Sequence, residues 1–275
     1  VASLQTVQRI GPVLDLFTVQ QPEWGVSEVA AAIDVPRSSA HALLSSLVDT
    51  GLLQCRARGR YRLGWRVVEL GETLRGTVDV RSCAAPVLER LVEKYGETTH
   101  LAVMDRWNVL YVDKILGNHN ITVQGARVGT RLDAHSTAVG KVLLAQLEEI
   151  EVRRYLAMRP LRRLTPSTTT NPQALLDALA GVRSAGFAAD LGETVSEVHC
   201  VAAPVRDDLG SVVAAVSVSV PATRFAQRRP QLERAVVGAA HEITRAIAEA
   251  HDCSPVPLRD DPSAAALVEA SPRAS

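Results

Sequence analysis

Pro36-Arg37-Ser38-Ser39-Ala40-His41-Ala42-Leu43-Leu44, continued by Leu47 and Val48, decides the fold of the N-terminal part of this chain. Proline opens a helix at no hydrogen-bonding cost, because the first helical N–H has no partner to lose. Leu43, Leu44, Leu47 and Val48 recur at the spacing that puts them on one helical face, and Gly51 ends the run. Arg37, Ser38, Ser39 and His41 then gather at the exposed N-terminal end. Short polar and cationic side chains there, on a helix anchored by its other face, can reach base edges and phosphates in a major groove. On an isolated surface helix the same residues would only cap and solvate, so the flanking segments decide between the two readings.

Upstream, Val7, Ile10, Val13, Leu14 and Phe17 follow helical spacing until Gln20, Gln21, Pro22 and Gly25 break it. Ser27 is the expected N-cap of a short second helix, with Glu28 in its first turn and Val29, Ala30 and Ile33 on its apolar face. Downstream, Leu52 to Cys55 and Tyr61 to Leu63 read as strands around a tight Arg58-Gly59 turn. Three helices and a hairpin make a winged helix-turn-helix, placed at residues 1–64. Between Thr50 and Val68 stand Arg56, Arg58, Arg60, Arg62 and Arg66 with no acidic residue among them. Arg58 and Arg60 are therefore expected to meet phosphate or the minor groove, adding affinity more than sequence choice. The alternative is a solvated basic face with Arg62 paired to a local carboxylate, which the shortage of nearby acids weakens.

At 275 residues and 47% hydrophobic content the chain is long enough for about two domains. Its 30 basic and 30 acidic residues cancel, so only the local arginine cluster favours a polyanion. No apolar run reaches the roughly twenty residues of a membrane span, and Val1 to Arg9 lacks a signal-peptide layout; a cytoplasmic protein without a membrane partner is expected. Cys55, Cys83, Cys200 and Cys253 form no Cys-x-x-Cys pair, so they read as reduced thiols, and neither metal nor cofactor is expected. Trp65 to Tyr95 is helical in pattern with an interruption near Gly76 to Val80, giving a linker helix over 65–80. An α/β domain is expected over 81–251. It combines strands at His100 to Met104, Val109 to Ile115, Val201 to Val205 and Val212 to Val220 with helices at Ala138 to Gln146, Gln173 to Ala185 and Gln231 to His251. Residues 252–275, rich in Ala, Ser and Pro, have little to bury and are expected to be disordered.

With these residues in view, the first domain resembles the IclR family of bacterial regulators, on the Pro36 to Leu44 segment and on Gly59-Arg60-Tyr61-Arg62-Leu63-Gly64. The resemblance continues in matching order. It takes in Asp133-Ala134-His135-Ser136-Thr137-Ala138-Val139-Gly140-Lys141, Leu164-Thr165-Pro166, Cys200-Val201-Ala202-Ala203-Pro204-Val205 and Gly210 to Ser219. It implies an α+β chain with a winged helix-turn-helix, a linker helix and a GAF-like effector-binding domain holding a six-stranded sheet. The implied ligand is a small organic acid or aromatic metabolite, and the positions lining its pocket would be Leu132, Ala138, Val139, Asp190, Val198, Cys200, Ser217 and Ser219. A mostly apolar pocket with a few hydroxyl, thiol and backbone groups suits a compact polar ligand, and Ser217 and Ser219 share one face of a strand. Without the resemblance, the two serines would read as small packing residues and Cys200 as a buried filler. The resemblance further implies a homodimer or homotetramer on a near-palindromic double-stranded DNA operator, acting as a repressor more than an activator. Three positions depart from the family pattern. Ala42 stands where many relatives carry a basic side chain, while Asp133 and Glu197 either bring carboxylates to the pocket or point into solvent.

Two other function classes compete. Seven histidines, several serines and the His199-Cys200 pair invite an enzyme reading. Against it, the chain has no Gly-x-Ser-x-Gly, Walker or His-Glu-x-x-His motif, and neighbours on a strand point to opposite faces. His135 reads as a structural hydrogen-bonder. The other class is a protein-binding scaffold, for which the wing arginines would be dispensable.

Overall fold

The structure, a computed structural model, describes residues 4–77, 79–118 and 126–252. The chain divides into two compact units, 1–78 and 79–275.

The first unit runs α1 (Gln5–Asp15), β1 (Trp24–Gly25), α2 (Val26–Ala32), α3 (Arg37–Asp49), β2 (Leu53–Arg56), β3 (Arg60–Leu63) and α4 (Arg66–Thr77). Its antiparallel sheet has the order β1-β3-β2. Val13, Val29, Leu43, Leu44, Leu47, Leu53 and Tyr61 form the core, so the apolar faces read from the sequence meet one another here. Each fully buried leucine contributes roughly 2 kcal/mol to holding α3 in place. The cap of α2 differs from expectation. Gly25, not Ser27, precedes the helix, because the Glu28 carboxylate reaches back to accept the Gly25 N–H at 2.7 Å. At the hairpin tip, Arg58 (φ 62°) and Gly59 (φ 68°) are both left-handed, a conformation that glycine adopts freely and arginine only under strain.

The helical pattern of residues 65–95 divides between the two units: α4 belongs to the first, and α5 (Asp79–Tyr95) opens the second. The second unit continues with β4 (Thr98–Asp105), β5 (Asn108–Ile115), β6 (Arg131–Asp133), α6 (Ala138–Leu144), α7 (Glu149–Met158) and α8 (Pro172–Ala185). It ends with β7 (Ala188–Leu191), β8 (Val198–Arg206), β9 (Val212–Pro221) and α9 (Ala222–Asp252). The six strands form one sheet, order β6-β5-β4-β9-β8-β7, with every neighbour antiparallel. Strand alternation feeds two cores. Leu101, Val201, Val216 and Val218 pack with Leu88 of α5 and with Phe225, Leu232 and Ile243 of α9. Ala102, Tyr111, Ala202 and Ala215 face the other way, towards Val139 of α6, Tyr155 of α7 and Leu175 and Leu179 of α8.

All of α6 is buried. Thr137 caps it by accepting the Gly140 N–H at 3.0 Å, and a side chain at Gly140 would run into the Ala134 carbonyl at 2.2 Å. Glycine is required there for the helix to sit down on the chain that precedes it. Helix α9 starts nine residues before the expected Gln231. Its polar first turns around Pro230 hid the helical pattern, yet Phe225 and Leu232 are both buried and hold them. Asp252 is still helical; the rest of the expected disordered segment, with Cys253, lies outside the described residues.

Candidate functional site

In the first unit, Arg37, Ser38, Ser39 and His41 are all exposed at the start of α3, while Ala40, Leu43 and Leu44 beneath them are buried. Pro36 offers no side-chain cap, so the first-turn N–H groups face outward with the positive end of the helix dipole. Such an end attracts phosphate. Arg58 is exposed at the tip of the wing. Arg60 is placed differently from the expectation of a free phosphate contact. Its Nη1 donates to Glu28 Oε2 and its Nη2 to the Glu23 carbonyl, both at 2.7 Å. No acid was visible between Thr50 and Val68, but the fold brings one from α2. Arg62 donates to Gln54 across the hairpin rather than to a carboxylate. Arg56, exposed and opposite Arg60, joins the basic face.

In the second unit a narrow cavity of about 10 Å³, room for little more than one water molecule, lies between the sheet and the start of α6. The strand register builds its floor, since Asp190 of β7 pairs with Cys200 of β8, which pairs with Ser219 of β9. Ser217 lies two residues before Ser219, on the same face. Leu132, Ala138 and Val139 complete the expected set, which thus converges on one cavity except for Val198. Val198 sits two rungs past the pair that reaches the cavity, opposite Pro221, and packs into the core on that side of the sheet. Tyr111, Thr137 and Thr194 also line the wall and were not anticipated. Alternation from the buried Val109 would have pointed to Tyr111; Thr194 sits on a loop that carries no periodic signal. Asp133 accepts a hydrogen bond from Arg162 at 3.0 Å and Glu197 is exposed, so neither departure lines the cavity.

The wall is electrostatically restrained. Burial pushes the Asp190 carboxyl up to about 6, against the pull of the Glu193 N–H that it accepts at 2.6 Å. Burial pushes the Cys200 thiol up to about 12, so it stays protonated, 3.1 Å from Ser219 Oγ. Behind them His100, pushed down to about 3 by burial, is neutral and 3.4 Å from Ser219 Oγ. Lys141 is buried in an ion pair with Glu193, and among the described residues no cationic side chain lines the cavity. His199 stacks edge-on against Phe225, 5.3 Å between centroids, on the opposite face from Cys200. A protonated thiol separated from its neighbouring imidazole by the sheet cannot act as an activated nucleophile. His135 holds the Arg162 carbonyl at 3.0 Å and the Tyr155 hydroxyl at 3.3 Å, a structural arrangement. Among the described residues no cluster of three or more His, Cys, Asp or Glu is placed to hold a metal, and no helix is long and apolar enough to cross a membrane.

Comparison with known proteins places both units. Residues 6–56 match the IclR helix-turn-helix domain and residues 73–247 the bacterial transcriptional regulator IclR C-terminal domain. The chain is similar to the HTH-type transcriptional regulator XynR of Escherichia coli, 36% identical over 238 residues, covering 84% of this chain and 94% of that protein. It is also similar to the HTH-type transcriptional repressor AllR of Salmonella typhimurium, 32% identical over 205 residues, covering 74% of this chain and 75% of that one. Among solved structures, an IclR homologue from Microbacterium hydrocarbonoxydans complexed with 4-hydroxybenzoate superimposes with a TM-score of 0.77 at 30% identity, covering 88% of this chain and 98% of that one. Matched in both units and in the same order, the chain belongs to the IclR family: it is a DNA-binding transcriptional regulator, not an enzyme.

Proposed function

We propose that the protein is a cytoplasmic repressor that binds a near-palindromic operator as a homodimer, or as a homotetramer of paired dimers, and answers to a small organic acid or aromatic metabolite. Its DNA-binding domain is assigned to 1–64, its linker helix to 65–80 and its effector domain to 81–251. Arg37, Ser38, Ser39 and His41 read the major groove in each half-site, and Arg58 meets the backbone. The observation that carries the effector reading is the convergence of Asp190, Cys200, Ser217 and Ser219 with Leu132, Ala138 and Val139 on one cavity between sheet and helix. A relative of similar fold holds 4-hydroxybenzoate, and another is named a repressor. The ligand shifts operator occupancy only to the extent that it binds the DNA-competent and incompetent arrangements unequally.

The test is a gel-shift titration against the DNA upstream of the protein's own coding sequence, at two salt concentrations with nonspecific competitor. Salt-sensitive binding that survives competitor is expected; no preference over competitor would return the scaffold reading. In the same assay, Ser217→Leu, which fills the cavity, is expected to abolish the response to an active metabolite while leaving operator affinity within about twofold. An equal loss of DNA binding would make Ser217 a packing residue.

A further inference from the structure

Arg56 and Arg60 face each other across the last paired rung before the wing tip. Two guanidinium groups directly opposite on one face of a hairpin repel. The fold answers this with Glu28, whose Oε2 accepts from Arg60 Nη1 and from the Gly25 N–H, each at 2.7 Å. The second arm of Arg60 donates to the Glu23 carbonyl, also at 2.7 Å. Gly25 is itself the register partner of Arg60 across β1 and β3, and its bare Cα lets the tie pass close, with an added Cβ lying 3.4 Å from Nη1. One guanidinium therefore joins the wing strand, the segment before α2 and the first turn of α2. On the opposite side of the hairpin, Leu53 and Tyr61 enter the core.

We propose that Arg60 is a positioning residue rather than a phosphate ligand: clamped by Glu28, it fixes the angle of the wing against α2 so that Arg58 and Arg56 are presented to the DNA backbone. This rests on the reading of α3 and the wing as the DNA interface. An arginine forked between a carboxylate and a carbonyl would have to release both to reach a phosphate. The carboxylate left behind would repel that same phosphate. The Gly25 N–H and Arg60 both hold the Glu28 carboxyl below its ordinary range, so the clamp stays charged throughout the working range of pH.

The two roles predict opposite signs for Glu28→Gln. If Arg60 positions the wing, removing the charge that holds it weakens the clamp and with it binding; if Arg60 is a phosphate ligand, removing a nearby negative charge frees it and tightens binding. The experiment measures affinity of the full-length protein for its upstream DNA across a salt series, with Glu28→Gln, Arg60→Gln, the double variant, and Arg58→Gln as the phosphate-contact control. Thermal melts confirm that each variant folds. Arg58→Gln is expected to reduce the salt slope by about 1 per protomer. Glu28→Gln and Arg60→Gln are each expected to weaken binding about tenfold with the slope unchanged, and the double variant to be no weaker than either single one. Tighter binding by Glu28→Gln, or a slope reduced by Arg60→Gln as by Arg58→Gln, would overturn the clamp. Absence of salt-sensitive binding by the unsubstituted protein would overturn the DNA-interface reading and the clamp with it.

Discussion

Replacing Arg37 by alanine is expected to lower operator affinity roughly a hundred- to a thousandfold at physiological salt while leaving the fold intact. Arg37 is the first residue of α3, exposed, with no acidic partner among the described residues. A guanidinium that bonds a guanine bidentately contributes about 1–3 kcal/mol, and in a dimer each half-site loses one such contact. The fold should not object. A cation at a helix N-terminus opposes the dipole, and alanine has the highest helix propensity, so the thermal midpoint should hold or rise slightly. Fluorescence anisotropy with the upstream DNA and with a scrambled duplex separates the possible roles. A loss confined to the upstream DNA marks a base contact, and Arg37→Lys should then recover little, because it keeps the charge without the fork. An equal loss on both duplexes would reassign Arg37 to phosphate, and unchanged affinity would remove it from the interface.

What the sequence showed about this region, and what it hid, follows from the range of the interactions involved. Helix α3 was legible because its determinants are local: leucines at helical spacing, a proline at one end and a glycine at the other. The cap of α2 was misplaced because Ser27 is a good capping residue by type, whereas the cap that forms depends on Glu28 folding back to Gly25. The tie between Glu28 and Arg60 was invisible for a stronger reason, since 32 residues separate the two partners and only the pairing of β1 with β3 brings them together. The same division holds in the second unit. The long strands β4, β5, β8 and β9 announced themselves by composition, whereas β6 and β7 have three and four residues and exist through their neighbours. Most of the cavity wall came from the family resemblance, and strand alternation explains why Ser217 and Ser219 serve it together. Thr194 lies on a loop, held by its bond to the Ser136 carbonyl at 2.9 Å, and nothing in its local sequence marks it.

Asp190→Asn is expected to stabilise the protein above pH 6 and to remove the pH dependence of effector binding, two consequences of one buried carboxyl. Asp190 is 3% exposed, and burial raises its carboxyl from an ordinary value near 3.8 to about 6. The folded state therefore prefers the proton more than the unfolded chain does. The sign follows: below the unfolded value both states are protonated and nothing is lost, while between the two values the folded state alone must hold the proton or take up a buried charge. By pH 7 the penalty approaches its full size, on the order of 3 kcal/mol. Asparagine is neutral throughout, keeps an oxygen to accept the Glu193 N–H, and escapes that penalty. Thermal melts should place Asp190→Asn several degrees above the unsubstituted protein at pH 8, with the difference gone near pH 4. Effector binding follows the same logic with the opposite benefit. Among the described residues no cationic side chain lines the cavity, and Lys141 is already paired with Glu193, so an ionised carboxylate ligand is accepted best when Asp190 holds its proton. Affinity for an acid ligand should then fall as pH rises through 6, by up to tenfold per unit, in the unsubstituted protein and stay level in Asp190→Asn. Equal melting curves at pH 8 would show that Asp190 is not desolvated in the folded protein. A pH dependence that survives the substitution would place the titrating group elsewhere in the wall.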